Sequence, residues 1–137
     1  MSTSKVITRN DLKAVLDEVL PNTSVDYIVE QGTSGIWTYR KWNSGIAECW
    51  GRGSATLSNY ATANGFYGYN TKFSLPSGLF VSGSVPTHTY TASVGTAFAI
   101  PASGISTSNT SIHVYALTIV SGSQSCVFDM MVKGRWK

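Results

Sequence analysis

The spacing of apolar residues changes once along this chain, at Pro21. Before Pro21, apolar residues recur at intervals of three and four, which places them along one side of a helix. After it, Val25, Tyr27 and Val29 recur at every second position, as in a strand with one buried side. The chain is therefore predicted to begin with a helix near 9–20 and to continue as β-structure. The helical stripe consists of Leu12, Val15, Leu16, Val19 and Leu20.

The rest of the chain is divided into short segments rich in β-branched and aromatic residues, separated by Gly, Ser, Asn and Pro. Several such segments in 137 residues are typical of one sandwich or barrel domain. The predicted fold class is all-β: an antiparallel β-sandwich over residues 25–137, after a leader and short N-terminal α-helix within residues 1–24. We predict strands near 36–42, 46–56, 65–74, 79–85, 94–100, 111–120 and 124–133.

The segment 35–51 holds three of the four tryptophans and a strong turn signal at 43–45, Asn-Ser-Gly. A three-residue loop with glycine in the left-handed conformation closes a β-hairpin. This register places Arg40 opposite Glu48, a stabilising pair that explains the glutamate without catalysis. A two-residue turn would pair Lys41 with Glu48 instead.

Trp37 and Trp50 fall on opposite faces of this hairpin. One face is expected to enter the core, where large side chains stabilise a sheet. The other face is available to a neighbouring chain or a ligand such as a sugar, although packing is the stronger expectation.

No combination of residues for catalysis appears. A nucleophile needs a base that a third group orients, and neither histidine, His88 or His113, has such neighbours. The only acid after Glu48 is Asp129, which leaves too few carboxylates for a glycosidase pair. The two cysteines lack the spacing of metal ligands. We expect no enzyme activity, no cofactor and no metal site.

Cysteine chemistry depends on the compartment. No apolar segment looks like a signal peptide, and none is long enough to span a membrane, so we expect synthesis in a cytoplasm and no membrane insertion. Thiols stay reduced there. Cys49 and Cys126 are therefore predicted to be free and buried, with a disulfide as the less favoured alternative.

The net charge of +3 is unevenly distributed. Residues 1–52 carry six basic and six acidic side chains, and between 53 and 128 the only charged residue is Lys72. Because a nucleic-acid binder concentrates cations on one face, we expect no nucleic acid as a partner. The excess cations at the end of the chain are Lys133, Arg135 and Lys137.

The uncharged region suggests where a ligand would bind. The segment 64–70 sets aromatic rings among glycine and asparagine, and tyrosine gives large contact area at low entropic cost. We predict ligand contacts by Tyr67, Tyr69 and Asn70 to a neutral glycan; the alternative is a strand with a glycine-marked bulge. A polyanionic receptor would instead use Arg135 and Lys137, with strong salt dependence.

Several stretches together resemble the C-terminal head of bacteriophage tail fibres and related tail receptor-binding proteins. The resemblance implies a sandwich like that of H-type lectins, a homotrimer continuing from a fibrous or coiled-coil shaft, and a place in the virion tail. It supplies no catalytic motif and no ligand residues. The stretches are Trp37-Thr38-Tyr39-Arg40-Lys41-Trp42, Gly45-Ile46-Ala47-Glu48-Cys49-Trp50-Gly51, Phe73-Ser74-Leu75-Pro76 and Gly134-Arg135-Trp136-Lys137.

A homotrimer would account for two apolar surfaces. The helix would end the shaft, with its stripe facing a threefold axis. The strand near 111–120 is apolar on both faces, so one face would pack on the core and the other on a neighbouring chain. The residues predicted at this interface are Leu12, Val15, Leu16, Val19, Tyr115 and Leu117.

The leading hypothesis is a receptor-binding head that attaches a virion to a host cell-surface receptor, with carbohydrate as the expected receptor. One alternative is a structural trimerisation cap that ends a fibre. The other is a lectin-like wall-binding module of a lytic enzyme.

Overall fold

The computed structural model describes residues 8–19, 25–102 and 107–137. Helix α1 spans Arg9–Val19, which confirms the predicted helix. Thr8 caps it: Thr8 Oγ1 accepts a hydrogen bond from the Asp11 amide at 3.2 Å, and the Asp11 carboxylate accepts one from the Thr8 amide at 3.1 Å. These bonds satisfy two donors that the first turn leaves unpaired, and they lower the pKa of Asp11.

The strands of the described residues form two antiparallel sheets, which confirms the predicted sandwich class. The six-stranded sheet has the order β1-β2-β3-β10-β6-β7, and the four-stranded sheet has the order β4-β5-β9-β8. The strands are β1 Ile28–Ser34, β2 Trp37–Trp42, β3 Ile46–Leu57, β4 Ala61–Ala63, β5 Phe66–Ser74, β6 Thr87–Val94, β7 Ala97–Phe98, β8 Ile100–Ala102, β9 Ser111–Thr118 and β10 Gln124–Arg135.

The hairpin of β2 and β3 has the predicted register. Arg40 pairs with Glu48 across the strands, and their side chains form an ion pair at 2.8 Å. Gly45 has a φ of +97°, the left-handed conformation that the three-residue turn requires. Trp37 lies on the inner face, where it is buried and its indole N–H donates to the Ser74 carbonyl of the other sheet at 2.7 Å.

The core lies between the two sheets and is tied together by aromatic contacts. The Phe128 ring of β10 meets the rings of Phe73 and Tyr90 edge to face, at 6.0 Å and 6.1 Å. The Tyr90 hydroxyl also lies 3.0 Å from both the amide nitrogen and the carbonyl oxygen of Tyr115. These contacts fix the distance between the two sheets, and with it the position of one outer face relative to the other.

Two of the predicted strands are wrong. Residues 79–85 form a turn-rich loop, with Gly78 and Gly83 in the left-handed region, and its Leu79 and Phe80 side chains are buried in the core. Apolar residues here cover the end of the core without forming a strand. The predicted strand near 94–100 is broken by a turn at 95–96, and β6 before it was not predicted.

Cys49 and Cys126 are free and fully buried on the inner face, in agreement with their predicted burial. Burial raises the pKa of Cys49 to about 12 and raises that of Cys126 as well. Both side chains therefore act as small apolar residues of the core.

Candidate binding surfaces

The structure places the predicted ligand-binding tyrosines on the inner face of β5. Tyr69 is 0% exposed, and its hydroxyl donates to the carbonyls of Val120 and Gly122, both at 2.8 Å. Its ring offers no surface to a ligand, so the expected anchor role does not hold for Tyr69. Tyr67 is half-buried and packs against the core. Its ligand role stays a prediction.

Asn70 lies on the outer face of the same strand, opposite Tyr115 of β9. Its Oδ1 is 3.5 Å from His113 Nε2, and His113 Nδ1 is 3.0 Å from the Tyr115 hydroxyl. Burial, and secondarily the nearby Lys72, lower the pKa of His113, which favours the neutral ring. Asn70 is thus part of a polar row beside an apolar surface, and its ligand role also stays a prediction.

That apolar surface covers the outer face of the four-stranded sheet. The Tyr60 ring lies over Gly68, where an added Cβ would come within 2.9 Å of it, and meets the Tyr115 ring edge to face at 6.0 Å. Leu117 is the outward neighbour of Tyr115 on β9 and is half-buried. Large apolar side chains around them are 43–61% exposed. They are Tyr60, Phe66, Ile100 and Ile119.

Helix α1 carries a second uncovered apolar surface. Leu12 and Val15 are each 54% exposed. The side chains of Leu16 and Val19, predicted at the same interface, lie outside the described residues. Together with the outer sheet face, the helix presents apolar groups that the described part of one chain does not cover.

The outer face of the six-stranded sheet is polar and largely self-paired. The Arg40 guanidinium lies 4.8 Å from the Trp50 ring centroid and 5.7 Å from that of Trp42, while it pairs with Glu48. The Trp42 indole also donates to Glu48 at 3.2 Å. The outward-facing rings of Trp42 and Trp50 therefore pack against Arg40 in a cation–π cluster.

The C-terminal residues are held against the hairpin turn. The Trp136 amide donates to the Gly45 carbonyl at 2.9 Å, and its indole donates to the Trp42 carbonyl at 2.8 Å. The side-chain ammonium groups of Lys41 and Lys137 lie 5.6 Å and 4.9 Å from the Trp136 ring centroid. This arrangement fixes the position of the last residues, and sequence reasoning gave no sign of it.

A cavity of 380 Å³ lies beside this C-terminal segment. It lies where β6 ends against β10: their ladder stops at Thr87 and Lys133, although β10 continues to Arg135 along β3. The 81–87 segment forms one wall and the end of β10 the other. The lining residues are Val81, Ser84, Val85, Pro86, Thr87, Lys133, Gly134, Arg135 and Lys137.

Among the described residues, the structure contains no group of three or more His, Cys, Asp or Glu side chains able to hold a metal ion. No helix in the described ranges is long and apolar enough to cross a membrane.

His88, one of the two histidines, stacks on Tyr90 with the ring centroids 5.9 Å apart, and burial lowers the pKa of His88.

No protein-family model matches the chain, and no curated protein matches it. Among solved structures, the N-truncated R1-type pyocin tail fibre is similar, with a TM-score of 0.49 and 12% sequence identity. That similarity covers 88% of this chain and 94% of the pyocin chain.

Proposed function

We propose that this chain is the receptor-binding head of a phage-type tail fibre. It assembles as a homotrimer in the virion tail and attaches the particle to a carbohydrate on the host cell surface, without catalysis. The resemblance of the Trp-rich hairpin and the terminal Gly134–Lys137 stretch to tail fibre heads supports this role.

The observation that carries the proposal is the apolar outer face of the four-stranded sheet. Its Tyr60, Phe66, Ile100 and Ile119 side chains are uncovered in one chain. A contiguous exposed apolar surface of this kind marks an interaction site in soluble proteins. The apolar stripe of α1 adds a second such surface, and a shared threefold axis would cover both.

Oligomer formation leaves a different surface for the receptor. The outer face of the six-stranded sheet is polar, with exposed threonine, serine and charged residues along β3 and β10. Self-association through the four-stranded sheet would leave this polar face in contact with solvent. Each copy would then present the same face to a cell surface, so that weak contacts add by avidity.

The oligomer is tested by sedimentation or light scattering at micromolar concentration. We expect three times the chain mass of 14.7 kDa. Ile119→Asp places a charge in the apolar face and should give monomers that keep a β-sheet circular dichroism spectrum. Met131→Asp is the matched control, because Met131 is 56% exposed but lies on the other sheet. A monomeric wild type would contradict the proposal.

Attachment is tested with fluorescently labelled protein on a panel of candidate host cells. The wild type should bind, and monomeric Ile119→Asp should bind much more weakly because avidity is lost. Enzymatic removal of surface glycans should abolish binding. A trimer that binds neither cells nor isolated cell walls would favour the structural cap instead.

A further inference from the structure

We infer that the 380 Å³ cavity beside the C-terminal segment binds an anionic group of a cell-surface glycan, a carboxylate or a phosphate carried on sugar. This inference rests on the proposed receptor-binding function and names the chemistry of the receptor. It moves the contact surface from the predicted 64–70 segment to the end of β10.

Hydrogen bonds and close packing hold the walls of the cavity. The Val81 amide donates to the Arg135 carbonyl at 2.8 Å, which holds the loop wall on β10. The Phe80 and Pro86 side chains pack closely on Gly134, where an added Cβ would lie 2.9 Å and 3.0 Å from them. The opposite wall is fixed through Trp136, whose amide and indole bond the hairpin. A preformed cavity costs little ordering entropy when a ligand binds.

The cations of this cavity form no ion pair with a described side-chain carboxylate. The ion pairs among the described side chains use Arg40, Lys41 and Arg52, each with a carboxylate within 2.9 Å. Those three are therefore neutralised. The cations that line the cavity are three others, Lys133, Arg135 and Lys137.

The contacts of Arg135 leave part of its guanidinium available for an anionic substituent. The Arg135 Nε–H donates to the main-chain oxygen of Lys137 at 3.1 Å, which leaves its terminal nitrogens for a bidentate contact. Lys137 lowers the pKa of Asp26 only as the last of several causes, after hydrogen bonds from Ser44 and Tyr27. No acidic residue lines the cavity. Two carboxylates, Asp26 and Glu48, line a separate cavity of 210 Å³ that Lys133 also borders.

The remaining lining favours a sugar over a nucleic acid. Val85 is 71% exposed, and with Val81 and Pro86 it offers an apolar wall to the C–H face of a sugar ring. Thr87 adds a hydroxyl. A nucleic acid would need an extended row of cations, but between 53 and 128 the chain has only Lys72.

The test measures binding of soluble probes by calorimetry at about 50 mM and about 200 mM salt. The probes are oligogalacturonide, which carries carboxylates, phosphorylated mannan, and neutral galactan. We expect the trimer to bind one or both anionic probes, more weakly at high salt, and to bind galactan at least about tenfold more weakly, because charge-assisted hydrogen bonds are lost. The preferred anionic probe identifies carboxylate or phosphate as the group recognised.

The variant Lys133→Ala/Arg135→Ala removes two of the cations while keeping the Val81–Arg135 backbone bond. It should lower affinity for the preferred probe by about tenfold or more. Lys72→Ala, which removes an exposed cation on the other sheet, should change affinity less than twofold, roughly the noise of such measurements. Val85→Asp, which adds a negative charge to the cavity wall, should also lower the affinity for the preferred anionic probe. Urea unfolding and trimer mass must match the wild type.

Four results would overturn the inference: equal binding by the double variant, equal binding of galactan, failure of both anionic probes to bind, and tighter binding of duplex DNA or of vesicles containing phosphatidylglycerol. If cells still bind the double variant fully, the head function stands and only this cavity is excluded. If the anionic probe binds but no cell does, the proposed function fails and the cavity assignment survives.

Discussion

At Gly51 the fold has no room for any side chain. A Cβ there would lie 2.3 Å from the backbone oxygen of Ile36, an atom that cannot rotate away. At Gly53 the obstacle is the Phe73 ring, also at 2.3 Å, which packs on Phe128 in the core. Glycine thus allows β3 to lie close to its neighbours at two points of the strand.

We predict that Gly51→Ala lowers the free energy of unfolding by about 1–3 kcal/mol, because overpacking forces the backbone to shift. Urea denaturation at neutral pH measures this. The control, Ser54→Ala on the exposed face of β3, should change stability by less than about 0.5 kcal/mol. A Gly51→Ala variant as stable as the wild type would show that the turn at 35–36 adapts freely.

The histidines make stability depend on pH near neutrality. Burial lowers the pKa of His88 below its ordinary 6.5, so the unfolded chain binds this proton more readily than the folded chain. The stabilising contribution is complete above pH 6.5 and is lost as pH falls through the folded pKa. His113 acts in the same direction.

We therefore expect a lower urea midpoint at about pH 5.5 than at about pH 7.5. His88→Gln should reduce this difference and leave part of it to His113. Carboxylates with a lowered pKa, such as Asp129 paired with Arg52, lose their contribution to stability only at more acidic pH. They therefore do not add to the difference between the two urea midpoints. An unchanged difference in His88→Gln would exclude His88 as the source.

The buried thiols should be chemically silent in the folded protein. The raised pKa values of Cys49 and Cys126 leave almost no thiolate at neutral pH, and thiolate is the reactive form. We expect no labelling by a maleimide in native buffer and labelling of both after denaturation without reductant. If neither reacts after denaturation, the two form a disulfide.

At the scale of elements, the C-terminal end of β10 and the hairpin turn form one unit. Trp136 joins them through two hydrogen bonds and a cation–π contact with Lys41. The hairpin turn is short, and the Trp136 indole that bonds to Trp42 lies 94 positions from it along the chain. The stability of the turn therefore depends on a segment that is distant in sequence.

Trp136→Ala should lower the free energy of unfolding by about 2–3 kcal/mol, somewhat less than for a fully buried tryptophan. Trp136→Phe keeps a ring and loses the indole bond, and should cost about 1 kcal/mol. Hydrogen exchange of the Gly45 amide should be faster in Trp136→Ala than in the wild type, and the increase should be smaller in Trp136→Phe. An exchange rate that is unchanged in both variants would show that the turn is stable without the contacts of Trp136.

At the scale of the whole molecule, folding and assembly should be coupled. A ligand or partner that binds only the folded state raises the melting temperature with its concentration. We expect the melting temperature of the wild type to rise over an about hundredfold increase in protein concentration, and that of Ile119→Asp to stay constant. Differential scanning fluorimetry at matched buffer measures both. A constant value for the wild type would indicate that the apolar sheet face stays uncovered.

The local sequence determined the features that need only neighbouring residues. The apolar stripe and the change of period at Pro21 specified α1, and the Asn43-Ser44-Gly45 turn specified the β2–β3 register together with its Arg40–Glu48 pair. The prediction of Tyr115 and Leu117 at an interface left the other face of β9 for the core, where Ile112, Val114 and Ala116 are buried. These signals suffice because turn geometry and strand alternation act within a few residues of the chain.

Only the tertiary structure decided which groups reach the surface. Alternation puts Tyr67 and Tyr69 on one face of β5, but the packing of the second sheet decides that this face is the inner one. Leu79 and Phe80 look like a strand, yet left-handed glycines beside them turn the chain and bury both in the core. The cationic cavity joins residues 81–87 to 133–137, which no local pattern connects. Burial of apolar area is a property of the whole domain, so it selects faces and brings distant residues together where local preferences leave the choice open.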